Sequence, residues 1–325
     1  MAVPSSGVLT LEGIAQEALY GTYGSGTITA PIHMYDLVNG GNSAGSGNSY
    51  PTVNTACIPN PTTRNGVLFA QTTSTDSAFD FTLGTVEVAI DTTIVIVSGG
   101  QTYTQTKTLD GNNNTTFTFN ISNNTGTANI YIDSASVPEI VNVDLRYCSL
   151  VFFDATIFSD LESLHLAGSS NLTYLNITNL GLLKYLYVFA TGLTSLDPTS
   201  CVRLILLNIQ TTPMTSIDLS NNVNLTILSN TSGNILSPVL PASIISYESA
   251  PGVTSLDISS NTAIINLDIR SSALSSASVD DLYIQLNSHG LSNGDLDARF
   301  QTNARTSASN TARAALITKG WSISD

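Results

Sequence analysis

The chain carries little charge. Of 325 residues only 10% are Asp, Glu, Lys or Arg, and ten basic residues face twenty-four acidic ones, leaving a formal net charge of −14. A field of that sign repels phosphate backbones, and no basic stripe interrupts it, so no nucleic-acid partner is expected. Cysteine is equally scarce. Cys57, Cys148 and Cys201 are odd in number, widely separated and without CxxC spacing, which leaves neither a disulfide framework nor a zinc site. No apolar run reaches the roughly 18 residues of a membrane span. The opening residues MAVPSSGVLTLEGIAQEALYG have neither the basic nor the apolar region of an export signal. Membrane insertion is therefore not expected. Ser, Thr, Asn and Gly take the place of the missing charge beside 42% hydrophobic residues. That is too apolar for disorder, and it suits a β-rich protein whose surface is polar without being ionic.

What the chain does have is a repeat. From Ile140 a six-residue frame, apolar-x-x-apolar-x-apolar, keeps returning. Its copies are Ile140, Val143 and Leu145; Leu161, Leu164 and Leu166; Leu183, Leu186 and Val188; and Leu204, Leu207 and Ile209. Leu225 and Leu228 begin a fifth whose third position is Asn230. Ile244 and Tyr247 form a degenerate sixth, and Ile264, Leu267 and Ile269 end the series. The starts are 21, 22, 21, 21, 19 and 20 residues apart. A second series lies half a period later: Leu172, Leu175 and Ile177; Leu193 and Leu196; Met214, Ile217 and Leu219; Val253, Leu256 and Ile258. Each coil is thus expected to hold two short extended segments on opposite sides, with apolar residues inward. One coil cannot bury those residues alone, whereas stacked coils share one core.

Spacing, frame and one further position define leucine-rich repeats. Cys201, Asn222 and Asn261 occupy the Asn or Cys position of LxxLxLxxN, where a buried side chain bonds backbone groups left unpaired as the segment turns away. The earlier series carries small residues at the matching corner, among them Cys148, Ser169, Thr191 and Thr212, so both Cys148 and Cys201 read as structural. The stretches LTSLDPTSC, MTSIDLSNNVNLTIL and VTSLDISSNTAIINLDI resemble the leucine-rich repeats of Bacteroidetes surface proteins and their phages. In the coil at 225–252, Asn230 and Pro238 depart from the pattern, and a local distortion is expected there.

The fold class read from these signals is mostly β with some α: a leucine-rich-repeat solenoid over 138–275, preceded by a small immunoglobulin-like β-sandwich over 71–137 and an N-terminal module over 1–70. In the sandwich region apolar residues alternate through Phe79, Phe81 and Leu83, then Ile94 and Ile96, Phe117 and Phe119, and Ile130 and Ile132. Residues 276–325 predict a helix–strand–helix–strand cap, with Ser278 as N-cap and Gly290 and Gly320 as stops. Over the first 65 residues or so, MAVPSSGVLTLEGIAQE and GTITAPIHMYDLVNGG resemble the N-terminal module of tail and other structural proteins of marine and Bacteroidetes phages. The resemblance implies a virion-attachment domain that binds other virion proteins.

No catalytic motif appears. P-loop, GxSxG and HExxH are missing, and nothing in the sequence converges His33, His165 and His289 into a triad. One constellation remains. Asp154, Asn176, Asp197, Asp218 and Asp257 are the outward residues of the second series, and stacking brings such residues to about 4.8 Å. A hydrogen-bonded polar face, a ligand- or sugar-contacting face and a calcium site all fit that column. The opposite side offers His165, Tyr187, Asn208, Ser229, Glu248 and Asp268, with Tyr185 beside them, a composition found at binding surfaces. No cofactor and no metal are expected. The expectation is a non-enzymatic bacteriophage structural protein, tail or fibre-like, in multiple copies or as a homo-oligomer, binding a host-surface glycan or protein. A bacterial cell-surface adhesin and a polysaccharide-degrading virion enzyme are the alternatives; the latter needs two carboxylates about 5–9.5 Å apart and an apolar pocket.

Overall fold

The computed structural model describes residues 66–72, 78–85, 89–109, 114–121, 127–133, 137–231 and 234–325. Residues 1–65, most of the region read as an N-terminal module and holding Cys57 and His33, lie outside the described residues.

The alternation read before the repeat becomes six antiparallel strands: β1 (Gly66–Thr72), β2 (Ala78–Thr85), β3 (Ile90–Ser98), β4 (Gln101–Leu109), β5 (Thr115–Asn120) and β6 (Ala128–Asp133). The boundary drawn at residue 70 falls inside β1. In β4, β5 and the first part of β3 burial alternates as period two requires, and Phe69, Phe81, Phe117, Phe119, Ile94 and Ile130 fill the interior. β3 and β4 form a hairpin whose two turn residues, Gly99 and Gly100, take φ of 55° and 76°, a left-handed geometry that a β-branched residue resists.

The sandwich and the solenoid share their sheets. β1 pairs with β6 on one side and, antiparallel, with β8 (Leu150–Asp154) on the other. β2 pairs likewise with β5 and with β7 (Ile140–Asp144). The first coil would otherwise expose two rows of unpaired amides and an open apolar end. β1 and β2 cover both. The residues drawn as a separate domain at 71–137 therefore form one compact unit with the repeat, running from Asn65 to Asp325.

The first series of frames builds the main sheet. β7 continues in parallel through β9 (Ser163–His165), then β11 (Tyr185–Tyr187), β12 (Leu206–Asn208), β13 (Ile227–Ser229), β14 (Ser246–Glu248) and β15 (Asn266–Asp268). The middle residue of every strand is inward. Val143, Leu164, Leu186, Leu207, Leu228, Tyr247 and Leu267 are stacked in register and buried. Each such leucine contributes roughly 2–3 kcal/mol of burial, shared between neighbouring coils.

The second series behaves differently. Its framed residues point inward as expected, but only β8 and β10 (Tyr174–Asn176) form a ladder, and the later segments are extended without pairing. Proline gathers on this side. The segment after β10 carries Pro198, which has no N–H to donate, and Pro213, Pro238, Pro241 and Pro251 fall on the same side and its corners. None falls in a main-sheet strand. The distortion expected at Asn230 does not reach the ladder, because β13 and β14 pair in register. Asn230 is buried with its amide donating to Ile235 O at 3.3 Å, and it lies against the hydroxyl of Tyr247, whose pKa burial raises. A polar frame residue and the tyrosine that replaces leucine in the next coil therefore meet inside the core.

Three residues past β7, β9, β11, β12 and β15 the backbone takes a left-handed turn. Tyr147, Gly168, Ala190, Thr211 and Ser271 have φ between 54° and 78°, and their N–H groups donate to the next coil. At Gly168 the ring of Tyr147 lies where a Cβ would stand, so any side chain there displaces the tyrosine.

The cap follows the sequence reading with one correction. Helix α1 spans Ser276–Ser288, and its N-cap is Ser275 rather than Ser278, which donates its N–H to the Ser275 hydroxyl at 3.1 Å. Helix α2 spans Asn310–Thr318. β16 (Asp295–Asp297) and β17 (Ser322–Ser324) extend the main sheet in parallel. Asp280 of α1 is buried and binds Thr306 N–H at 2.9 Å together with the hydroxyls of Thr306 and Ser309, so it ties the two helices. No helix among the described residues is long and apolar enough to cross a membrane.

Candidate functional site

The aspartate column is occupied by its own backbone. Asp154 Oδ1 accepts Thr156 N–H at 3.0 Å and its hydroxyl at 2.7 Å. Asn176 holds Thr178 in the same way, at 3.2 and 2.7 Å, and Asp197 holds Thr199, at 3.0 and 2.6 Å. Asp218 and Asp257 accept the N–H of Ser220 and Ser259, each at 2.9 Å. Each side chain closes an Asx turn where the extended segment ends, which is why the repeat prefers Asp or Asn there. Hydrogen bonds from Thr199, Ser220 and Ser259 hold the Asp197, Asp218 and Asp257 carboxyls below their ordinary pKa. A glycosidase general acid needs the opposite shift. Only Asp154 and Asn176 sit opposite one another in a ladder. Among the described residues no three His, Cys, Asp or Glu side chains converge as a metal site.

The ladder positions sit in the core. Asn222 donates its amide to Pro198 O and Cys201 O, each at 3.0 Å, and Asn261 donates to Pro241 O at 2.6 Å. Cys201 directs its thiol to Ile177 O at 3.7 Å, and Cys148 directs its thiol to Asp80 O at 3.4 Å. Burial pushes these thiols up to about 11 and about 12, which leaves them without nucleophilic thiolate at neutral pH.

The outer face of the main sheet is zoned. At its start Asp144 pairs with Arg146 at 2.8 Å, and at its far end Asp268 pairs with Arg270 at 2.6 Å and Asp297 with Arg299 at 2.7 Å. Between these ends stand His165, Tyr187, Asn208 and Ser229, two of them aromatic. The ring of His165 lies 4.7 Å from that of Tyr187 and 5.8 Å from that of Phe189. Asn208 fixes the next turn through Gln210 N–H at 3.1 Å. Glu248 is anchored rather than free, its Oε2 accepting Ser229 Oγ at 2.8 Å, Gln210 Nε2 at 3.0 Å and Thr231 Oγ1 at 3.3 Å.

Burial lowers the pKa of His165, against the raising effect of Asp144. A depressed folded pKa means that the unfolded chain takes the proton first. The contribution of His165 is therefore present above its unfolded pKa of about 6.5 and is lost as pH falls through the folded value. Urea melts should show stability declining below about pH 6.5, with a shallower decline in His165→Asn. An unchanged slope in the variant would show that the ring is not desolvated.

One feature escaped the sequence reading. Tyr185, Leu206 and Ile227 stand side by side on β11, β12 and β13. One residue earlier, Ile205, Thr226, Ile245 and Ile265 form a second column linked by N–H to carbonyl bonds of 2.9–3.0 Å. Tyr185, Ile227, Ile245 and Ile265 are 36–40% exposed, so the two columns set an apolar residue outward on successive coils, in a strip that Thr226 interrupts. Strips of this kind mark interaction surfaces. The signal was present in LILLN, TILS, IISYE and IINLD, where residues that the frame turns to solvent are apolar.

A parallel sheet of stacked coils with an Asn/Cys ladder defines a leucine-rich-repeat β-solenoid, here fronted by antiparallel strands. The chain is similar in structure to the functional domain of InlJ from Listeria monocytogenes, which includes a cysteine ladder, at 23% identity and a TM-score of 0.40 over 42% of this chain. It is also similar to the internalin InlF of the same organism, at 14% identity and a TM-score of 0.37 over 54% of this chain. It spans 31% and 66% of those two chains. No family model matches the chain. No curated protein matches it either.

Proposed function

We propose that the chain is a non-enzymatic binding protein whose target is a protein docked on the apolar strip and the adjoining Tyr187 and His165 rings. The observation that carries this reading is the strip itself, an apolar stretch at solvent-facing positions of a repeat otherwise coated with Ser, Thr and Asn. The aspartate column is not the binding face in this reading, since its acceptors are engaged in turns. The location proposed is a bacteriophage virion, on a tail or fibre, with residues 1–70 attaching to other virion proteins. The resemblance of the first 65 residues or so supports that location. Many copies on one particle would compensate for weak single contacts through avidity.

Mass spectrometry of purified particles should find the chain, and its absence from them removes the virion reading. Labelled full-length chain should bind intact host cells, and protease treatment of the cells should abolish binding. The double variant Ile227→Glu/Ile245→Glu should keep its melting temperature and lose at least about tenfold in affinity. Undiminished binding would discard the strip.

A further inference from the structure

A cleft of about 430 Å³ opens beside the strip, lined by Lys184, Arg203, Ile205, Asn224 and Thr226 from three successive coils. The cation in it is unusual for this chain. Of the nine described Lys and Arg residues, six are held in ion pairs with carboxylates. Lys107 and Lys319 instead donate to main-chain oxygens, Thr116 O at 2.6 Å and Asn287 O at 2.9 Å. Among the described residues, Arg203 alone has neither kind of partner. Lys184 is committed to Glu162 at 2.7 Å, and Asn224 is oriented by its amide donating to Val202 O at 2.9 Å. Val202 and Val223 are exposed close by along the chain. Among the described residues of a chain with a net charge of −14, Arg203 is thus the one unpaired guanidinium, and it lies in a cleft that Ile205 also lines.

That placement constrains whatever covers the strip. Ile205 lines the cleft and also belongs to the strip, so a partner lying over Ile205 and Ile245 must also lie over Arg203. Burying an unpaired guanidinium is costly, and an oxygen acceptor of opposite charge removes the cost. A carboxylate is the best match among protein groups, because it can take two parallel N–H donors of the guanidinium fork. We infer that the Arg203 cleft receives an Asp or Glu side chain of a protein partner, whose neighbouring apolar residues cover Ile205 and Ile245. The inference rests on the strip being a protein-docking surface, and it specifies the partner segment as an acidic residue flanked by apolar ones.

The test uses the full chain with isoleucine methyl groups labelled for NMR. The probes are the peptide acetyl-Ser-Leu-Glu-Ile-Ser-amide and its counterpart with Gln in place of Glu. The Ile205 and Ile245 methyl signals should shift with both, and the Glu peptide should bind about fivefold more tightly. The preference should vanish in Arg203→Gln and reverse in Arg203→Glu, both exposed substitutions that leave the core untouched. Equal affinity of the two peptides at the strip overturns the carboxylate assignment while leaving the strip a protein-binding face. No shift with either peptide up to about 5 mM overturns both. Methyl shifts that depend on protein concentration without any peptide show that a second copy of the chain occupies the strip, and they also overturn the inference.

Discussion

Replacing Leu207 by Ala is expected to destabilise the protein by about 3–5 kcal/mol, near the upper end for a buried leucine. Leu207 is fully buried between Leu186 and Leu228 on the neighbouring strands, and rigid coils on both sides cannot collapse into the space. The loss falls on two interfaces at once, because a solenoid coil draws its stability from the coils it touches. Thermal unfolding should fall by roughly 10 °C for a chain of this size. The adjacent residue supplies the control. Leu206 shares the strand but faces outward, and Leu206→Ala should cost under about 1 kcal/mol. Similar losses for both variants would contradict the in–out alternation on which the fold depends.

Asn222→Asp should be almost as damaging, at about 2–4 kcal/mol, although the two side chains have nearly the same shape. The Asn222 amide donates to two buried carbonyls, Pro198 O and Cys201 O. An aspartate has no proton for them when ionised and would set a charge against two oxygens in the core. Asn222→Cys should be milder than Asn222→Asp, since Cys201 fills the equivalent place one coil earlier. Chemical denaturation of the three proteins checks the order. If Asp proves equal to wild type, the amide is not holding the turn.

Much of this architecture was legible. The frames at Ile140, Leu161, Leu183, Leu204, Leu225, Ile244 and Ile264 identify the inward residues, and each frame opener is buried. Asn222, Asn261 and Cys201 stand at the ladder, where each side chain reaches main-chain carbonyls, and the opposite corner likewise buries Ser169, Thr191, Thr212 and Ser272. The residues of the proposed binding face were legible only in part. Tyr185, Tyr187 and His165 are marked by their outward positions, but the aspartates marked in the same way on the opposite side close turns. Ile205, Ile245 and Ile265 lie where the frame assigns residues to solvent, and their apolar nature has meaning only once stacking sets them in one column with Thr226.

Periodicity states which side of the backbone each residue shows to the core, and that is a local property written every two or three positions. The sequence by itself therefore determined the coils, their inward faces and their ladder. Which coil edges pair, that the sandwich sheets run on into the solenoid, and that solvent-facing isoleucines about 20 residues apart adjoin beside an unpaired arginine were decided by tertiary stacking. Those relations exist only between residues brought together by folding, where a missing proline N–H or one extra apolar side chain acts on a neighbour distant in the chain.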